Sequence, residues 1–149
     1  MAGKKLMKID PAVVEWNYNT EYRHSYAQDS PFFLALGKNK LLGSRCPGCG
    51  YKYGTYRKYC MYCGAETEDI ELPLKGKIHS FTTCYYSGES FRNDVPFTLV
   101  LVEFPGIDSL FMSRLYADDT GKIKIGMDII AKFKKFQDFT VNDVYFVLA

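Results

Sequence analysis

The sequence predicts a mainly β protein with N-terminal helices, in which a rubredoxin-like zinc ribbon precedes a five-stranded OB-fold barrel. Two observations carry this prediction: two Cys-x-x-Cys pairs stand between Cys46 and Cys63, and strand-like segments follow Pro73. With 149 residues and 47% apolar content, the chain can form one ordinary domain with a core and one small module. The expected parts are a helical segment (1–40), a ribbon (41–72) and a barrel (73–149).

A basic N-terminal stretch precedes the first predicted helix. Its lysines lead directly into Ile9, Asp10 and Pro11, without the apolar stretch or cleavage site of a secretory signal. No apolar run in the chain approaches the roughly 20 residues that a membrane span requires. We therefore expect an intracellular, cytoplasmic protein that has no membrane segment.

The first predicted helix begins at Asp10 and Pro11, because aspartate is a favourable N-cap and proline is tolerated at the first helical position. It runs to about Gln28 without Gly or Pro. Its aromatic stripe has two interpretations, packing against the protein's own body or docking on a partner. The stripe consists of Val14, Tyr18, Tyr22 and Tyr26. A second, short helix is expected to begin at Ser30-Pro31.

The cysteine pairs predict a structural metal site. Each Cys-x-x-Cys turn directs two sulfurs at one point, and two turns joined by a hairpin supply the tetrahedral thiolates that suit Zn²⁺. A glycine follows each pair, where a tight turn needs a positive φ. Because a four-thiolate site has no open coordination position, we expect the metal to stabilise the fold and not to catalyse. The predicted ligands are Cys46, Cys49, Cys60 and Cys63.

Disulfides and a rubredoxin-type iron site are the alternatives for these cysteines. Two disulfides would require an oxidising compartment, which the missing export signal argues against. Iron would use the same four thiolates, although we associate that chemistry with a longer separation between the pairs. Colour would separate the two metals, since a ferric tetrathiolate is red and a zinc site is colourless.

Basic residues surround the predicted ribbon and acidic residues follow it, although the net charge is only +2. The cations could offset the negative charge of a zinc tetrathiolate, or they could bind a phosphate-bearing ligand or an acidic partner. The sequence leaves both explanations open. The cations are Lys38, Lys40, Arg45, Lys52, Arg57 and Lys58, and the acids are Glu66, Glu68, Asp69 and Glu71.

Five segments after Pro73 are predicted to be strands of a small closed or nearly closed barrel, of which the OB fold is the familiar example. They are Lys77–Tyr86, Phe97–Phe104, Leu110–Tyr116, Met127–Phe136 and Val144–Leu148. Phe97–Phe104 is apolar on both faces, which predicts that the ribbon, a helix or a ligand covers its outer face. An OB fold usually has a helix between its third and fourth strands, and here 117–126 has room for one helical turn.

Catalytic motifs are missing from the sequence. It has no Gly-x-Gly-x-x-Gly, Gly-x-Ser-x-Gly, P-loop or His-Glu-x-x-His motif. His79 and Cys84 are five residues apart on one predicted strand, and an odd separation places them on opposite faces. We therefore interpret Cys84 as a small buried residue and expect no stand-alone catalysis.

The order of sequence blocks is informative. The tetracysteine ribbon is followed by GKIHSFTT, DVPFTLVLVEF and FMSRLYADDTGKIKIGMDIIAKFK. This order, over about Phe32 to Leu148, resembles the family of zinc-ribbon/OB-fold proteins associated with acyl-CoA, formerly a domain of unknown function. Members of that family work beside thiolase-fold enzymes, including acetoacetyl-CoA thiolases, hydroxymethylglutaryl-CoA synthases and related aldolases. The resemblance implies a non-catalytic acyl-CoA-binding subunit, and it assigns the four cysteines as metal ligands.

Candidate contacts for acyl-CoA follow from the chemistry of the ligand, which has an adenine to stack, phosphates to neutralise and a long uncharged arm. The candidates for the nucleotide end, all in the ribbon hairpin, are Tyr53, Tyr56, Arg57 and Lys58. The candidates for the arm or the phosphates, between the first two barrel strands, are Phe91 and Arg92.

Single-stranded nucleic acid is the competing ligand, because OB folds with zinc ribbons can stack bases on aromatic side chains along a basic groove. Residues 74–149 contain equal numbers of basic and acidic residues, which argues against a nucleic-acid groove. A third possible function is that of a zinc-stabilised scaffold without any small-molecule site. We favour the acyl-CoA-binding accessory subunit of a thiolase-fold enzyme.

Overall fold

The structure is a computed structural model that describes residues 21–23 and 25–149. Its helix and strands are α1 (Ser30–Leu36), β1 (Leu42–Arg45), β2 (Lys52–Tyr53), β3 (Glu68–Glu71), β4 (Lys75–Cys84), β5 (Phe97–Glu103), β6 (Phe111–Tyr116), β7 (Asp128–Phe133) and β8 (Val144–Leu148). Short 3-10 turns lie at Ala27–Asp29, Glu89–Phe91, Thr120–Lys122 and Val141–Asp143. Within the described ranges, no helix has the length and apolar character needed to cross a bilayer.

Most of the first predicted helix, from Pro11 to about Gln28, lies outside the described residues. Its predicted C-terminal end is wrong, because 21–23 and 25–26 are not helical and a 3-10 turn follows. Tyr26 stacks on the ring of Phe33 at 3.7 Å, so this member of the stripe packs against the protein itself. Tyr22 is exposed.

The second predicted helix is confirmed as α1, with Pro31 in its first turn. Apolar residues occupy almost every side of this seven-residue helix. Three of them are buried: Phe32, Phe33 and Leu36. The Phe32 ring lies 6.2 Å from the ring of Phe111, which places α1 against the barrel.

The ribbon is a three-stranded antiparallel sheet in the order β2-β1-β3. The predicted strand at Leu41–Arg45 and the hairpin that joins the cysteine pairs are both present. The acidic stretch predicted as a link is instead partly a strand, because β3 pairs with β1 along its whole length. That pairing places Glu68 opposite Arg45, and the Lys40 ammonium lies 2.6 Å from the Glu71 carboxylate. Charge complementarity across the ribbon thus favours the third strand.

Strands β4 to β8 form a closed barrel in the order β4-β5-β6-β8-β7, with β6 and β8 parallel and the other pairs antiparallel. All five predicted barrel strands are confirmed. Alternating residues fill the interior, as Ile129 and Ala131 of β7 do. The connection from β6 to β7 contains the one short turn that the sequence allows, Thr120–Lys122.

A bulge in β4 changes which face its residues occupy. The register of β4 against β5 shifts between Ile78 and Ser80. After the shift, Thr83 meets the buried Thr98 with their hydroxyl oxygens 3.1 Å apart, so Cys84 faces outward, as the exposed His79 does. The predicted placement of His79 and Cys84 on opposite faces is therefore wrong, because the extra residue reverses the alternation. Cys84 is half-buried, not fully buried as predicted.

The outer face of β5 is not covered by the ribbon or by α1. Its outward residues Phe97, Leu99 and Leu101 are half-buried, whereas the alternate residues are buried. Two depressions on this face are lined only by barrel strands and the loops between them. Of the covers that the sequence predicted, the ribbon is therefore wrong, and α1 is not the covering helix. Most of the first predicted helix lies outside the described residues, and a ligand stays a prediction.

Hydrogen bonds join the ribbon to the barrel. The Lys52 N–H donates to the Asp108 carboxylate at 2.8 Å, and the Asp108 N–H donates to the Lys52 carbonyl at 3.0 Å. The Tyr51 hydroxyl donates to the Asp108 carbonyl, and the Gly54 N–H donates to Ser109 Oγ at 2.9 Å. We call these contacts the ribbon–barrel seam. They fix the metal-site hairpin on the loop between β5 and β6.

Candidate metal centre and ligand surface

Two matching turns position the four cysteines. In each turn, the N–H of the glycine after the second cysteine donates to the carbonyl of the first cysteine, at 2.9 Å and 3.0 Å. The glycines, Gly50 and Gly64, have φ values of 80° and 74°, which the sequence predicted and which favour glycine. Each turn therefore directs both of its sulfurs toward the other turn.

The four sulfurs form one cluster. All lie within 4.8 Å of one another, with Cys46 and Cys63 separated by 3.3 Å and Cys49 and Cys60 by 3.5 Å. Zn–S bonds of about 2.3 Å would give a tetrahedron with edges of about 3.8 Å, which lies within this range. The predicted ligand set is thus brought together, and its geometry fits a metal tetrathiolate. The first cysteine of each pair, Cys46 or Cys60, is buried, and the second, Cys49 or Cys63, is exposed.

Hydrogen bonds reach the sulfurs of the two buried cysteines. The Cys49 N–H donates to Cys46 Sγ at 3.4 Å, and the Tyr62 N–H donates to Cys60 Sγ at 3.4 Å. The Tyr53 hydroxyl lies 3.2 Å from Cys60 Sγ and accepts the Met61 N–H at 3.1 Å. Such contacts orient ligands and stabilise thiolates in metal sites.

The electrostatics of the cluster favour thiolates at the buried pair. The Tyr53 hydroxyl is the main cause that lowers the pKa of Cys60 to about 6, and the Cys49 N–H is the main cause that lowers the pKa of Cys46. Although the Tyr51 N–H lowers it, burial and the three neighbouring sulfurs raise the pKa of Cys49 to about 12. Four crowded thiolates repel one another, and a bound cation offsets that repulsion.

The ribbon residues predicted to contact acyl-CoA fall into two groups. Tyr53 and Tyr56 are buried, at 3% and 8% exposure, so little of either ring faces solvent. The Tyr56 hydroxyl donates to Asp69 at 3.0 Å, and burial together with that carboxylate raises the pKa of Tyr56 to about 12. Arg57 and Lys58 are more accessible.

Arg57 lies with its guanidinium 5.2 Å from the centre of the Tyr53 ring, and it forms no ion pair within the described part of the chain. Lys58 pairs with Glu66. The basic cluster around the ribbon is thus partly neutralised by the acids that follow it, through Lys58 and Lys40. Arg57 and Lys52 are the hairpin cations that form no ion pair among the described residues, and they are left for a ligand or for the metal cluster.

The predicted loop residues lie on the barrel at the connection from β4 to β5. Phe91 is 45% exposed and packs 6.4 Å from the ring of Phe97, and Arg92 is exposed. Arg114, which the sequence reasoning missed, lies 4.5 Å from the ring of Phe97 and donates to the Asp94 carboxylate at 2.8 Å. The sequence did contain a signal for Arg114. It is a charged residue at an outward position of a predicted strand, and the outward residues beside it, Met112 and Tyr116, are uncharged.

A group of exposed apolar residues at the ribbon was also not predicted. Tyr59, Met61 and Tyr62 are 50%, 66% and 64% exposed beside the second cysteine turn. The ring of Tyr62 lies 4.8 Å from that of Tyr51. The hairpin tyrosines therefore divide between a buried layer around the sulfurs and an exposed layer that faces solvent.

Comparisons with known proteins match the barrel to a family model and a larger part of the chain to two scaffold proteins. Residues 69–134 match the family model described as "ChsH2, C-terminal OB-fold domain". A DUF35 domain-containing scaffold protein of Methanocaldococcus jannaschii is 25% identical over 100 residues, which is 66% of this chain and 70% of that protein. A protein of the same description from Methanothermobacter thermautotrophicus is 26% identical over 100 residues, or 66% and 74% of the two chains.

Solved structures share the fold. A chain of the Ltp2-ChsH2(DUF35) aldolase superposes with a TM-score of 0.68 at 18% identity, covering 85% of this chain and 98% of that one. A DUF35-family protein of unknown function from Sulfolobus solfataricus superposes with a TM-score of 0.59 at 24% identity, covering 86% and 90%. The resemblance predicted from the sequence is thus confirmed: the chain is similar to DUF35 domain-containing scaffold proteins, and its residues 69–134 match the family model of the C-terminal OB-fold domain of ChsH2.

Proposed function

We propose that this chain is a non-catalytic accessory subunit that binds acyl-CoA and associates with a thiolase-fold enzyme. The observation that carries the proposal is the similarity to two relatives that are named scaffold proteins. The fold shared with a chain of the Ltp2-ChsH2(DUF35) aldolase supports it, because that protein is named as an assembly of two components. In this role the chain supplies binding surfaces, and the partner supplies the catalytic residues.

The chemistry of the described residues agrees with a supporting role. His79 lies on the surface with its ring 3.3 Å from Glu103, five strand positions away from Cys84. These two residues therefore do not form a nucleophile and base pair, which would require hydrogen-bond distance. The remaining cysteines are gathered in the sulfur cluster.

We assign Zn²⁺ to the sulfur cluster, with Cys46, Cys49, Cys60 and Cys63 as its ligands. Four sulfurs in a tetrahedral arrangement are typical of structural zinc sites, and such an ion contributes free energy to folding. The ion would hold the hairpin that carries Arg57 and Lys58 in shape.

The proposed acyl-CoA site runs from the ribbon hairpin to the loop between β4 and β5. Thr55 of the hairpin donates to the Leu110 carbonyl, just before β6, and Phe91 of the loop lies near Arg114 of the same strand. Four strand residues span roughly 13 Å, so an extended ligand can reach from one group to the other. Arg57 and Lys58 would bind phosphates, and Phe91 and Arg92 would contact the pantetheine arm. Tyr53 and Tyr56 would support the hairpin from beneath.

The association is tested by co-expressing the tagged chain with each thiolase-fold enzyme of its source organism. We expect one of them to co-purify at a fixed stoichiometry through size-exclusion chromatography. A tagged variant with Cys46→Ser and Cys60→Ser tests whether the ribbon is needed for the association. If none of the enzymes co-purifies with the wild-type chain, the proposed function is wrong.

Acyl-CoA binding is tested by titration calorimetry of acetyl-CoA into the purified complex. We expect Arg57→Ala and Arg92→Ala each to weaken binding at least about tenfold, since a hydrogen bond to a charged group contributes about 1.5–3 kcal/mol. Lys124→Ala, an exposed cation on the connection from β6 to β7, is the matched control and is expected to bind like the wild type. Unchanged affinity in both arginine variants would remove these residues from the site.

A further inference from the structure

The outer side of β4, β5 and β6 is a largely apolar surface that no other element of the described residues covers, and we call it the barrel face. Cross-strand partners point to the same side of a sheet, so the register defines its rows. One row is Ser80, Leu101 and Met112, and the next is Thr82, Leu99 and Arg114. The third row begins with Cys84 and Phe97. Met112, on β6, is 62% exposed.

Two shallow depressions lie on the barrel face, separated by a ridge. Both are lined by Leu99 and Met112, which form the ridge between them. One measures about 250 Å³ and extends to Phe91, Phe97 and Val141. The other measures about 210 Å³ and extends to Phe81 and Thr82. Each is smaller than the roughly 300–1,000 Å³ of small-molecule sites, and each is open to solvent, so side chains of a protein suit them better than a cofactor.

The barrel face coincides with the surface that OB folds use for binding. That surface is the outer side of the second and third strands, flanked by the loops after the first and fourth strands. Here these strands are β5 and β6, and the flanking loops contribute Phe91 and Val141. Val141 is 64% exposed, and Phe136 and Phe139 of the same loop are also exposed. The loops therefore add apolar side chains to the depression that contains Phe97.

The charge of the barrel face selects the class of its partner. Arg114 is the one charged residue in the two complete rows, and Asp94 neutralises it at 2.8 Å. Oligonucleotide binding depends on clustered cations, which these rows do not contain. Interface cores, in contrast, are poor in Lys, Asp and Glu and rich in aromatic residues, Met and Arg. The complementary partner is therefore a neutral, apolar protein surface.

We propose that the barrel face docks an apolar segment of the partner enzyme, two of whose side chains fill the depressions on either side of Leu99 and Met112. This inference rests on the proposed function and adds to it the surface that binds the partner. It leaves the ribbon hairpin, where Arg57 and Lys58 lie, free to bind the phosphates of the ligand. Phe91, at the edge of one depression, would then lie between the docked segment and the pantetheine arm. Met112 has a flexible side chain that can adapt its shape to the docked segment.

The test measures the affinity of the chain for the thiolase-fold enzyme with which the wild type co-purifies. Met112→Glu places a charge on the ridge, and Thr82→Arg places one beside the second depression. Both positions are exposed, so both variants are expected to fold like the wild type. Ile125→Glu is the matched control, because Ile125 is 69% exposed and lies outside both depressions. We expect the first two variants to bind at least about tenfold more weakly and the control to bind like the wild type.

The outcomes separate this inference from the proposed function. If the wild type binds the enzyme and Met112→Glu and Thr82→Arg bind equally well, the docking surface is wrong and the accessory function stands. Loss of acetyl-CoA binding, of oligonucleotide binding or of a wild-type dimer in Met112→Glu, with enzyme binding intact, overturns the inference in favour of that occupant. If no thiolase-fold enzyme binds the wild type, the proposed function and the docking surface are both wrong.

Discussion

At the scale of single residues, Tyr53 has a different role from the one that its sequence position suggests. Its ring is buried, and its hydroxyl contacts the Cys60 sulfur on one side and the Met61 N–H on the other. From the sequence alone, a tyrosine in a basic, aromatic hairpin is predicted to contact a ligand. The structure makes it part of the support around Cys60.

Tyr53→Phe is expected to weaken metal binding by about 10–100-fold, the usual effect of removing a partner of a metal ligand. The change removes the hydrogen bond to Cys60 Sγ and leaves the Met61 N–H without its acceptor. Competition with a chelator, monitored by a zinc-sensitive dye, measures the affinity. Tyr59→Phe is the matched control, because Tyr59 is 50% exposed. Equal affinities in the two variants would show that the Tyr53 hydroxyl does not support the site.

At the scale of elements, the ribbon and the barrel differ in how they are stabilised. The barrel and α1 share one large apolar core, in which Phe104 and Phe146 are fully buried. The cluster around the sulfurs contains only Cys46, Tyr53 and Cys60 as buried members. A module with so small a core depends on its metal or on its neighbours for a stable fold. The ribbon is thus the part of the described chain whose order depends most on the ion.

Removal of the metal is expected to unfold the ribbon and leave the barrel intact. After chelation at neutral pH, we expect hydrogen exchange to accelerate in 46–65, while the amides of Phe97–Glu103 keep their protection. Metal analysis before chelation should give one zinc ion per chain and a colourless protein. Loss of protection in β5 at the same rate as in the ribbon would contradict this separation. Reconstitution with Zn²⁺ is the control for reversibility.

At the scale of the whole molecule, contacts between distant segments hold the ribbon, α1 and the barrel together. The seam holds the hairpin on the loop between β5 and β6, and Tyr56 of the hairpin belongs to the large core. The Gln137 side chain donates to the Leu36 carbonyl, which ties α1 to the loop between β7 and β8. Ribbon, helix and barrel are therefore connected by contacts between distant parts of the sequence.

Gly54→Ala is expected to weaken the seam. A Cβ at this position would lie 2.7 Å from the Ser109 carbonyl oxygen, so the hairpin and the loop would have to separate. We expect a loss of about 1–3 kcal/mol in the free energy of unfolding, as for other overpacked sites. Denaturant unfolding measures it, with Gly88→Ala as the control because a Cβ there has no neighbour within 4 Å. Equal stability of the two variants would mean that the seam can adjust to the added methyl group.

The sequence by itself determined the cluster of four cysteines, the barrel strands and the order of ribbon and barrel. These features rest on local patterns: cysteine spacing, a glycine after each pair, and alternation of apolar residues over each strand. Short-range chemistry fixes them, so they can be read without knowing what each segment contacts. The resemblance to the DUF35 proteins follows the same blocks.

Only the tertiary structure decided which side chains are available for function. The acidic stretch Glu68–Glu71 becomes the third ribbon strand because it pairs with β1. The bulge in β4 moves Cys84 to the outer face. Tyr53 and Tyr56 are buried because the hairpin folds over the sulfurs and packs on the barrel, whereas Leu99 is half-buried and Met112 is exposed. Each of these outcomes depends on contacts between residues far apart in the chain, and local spacing does not contain that information.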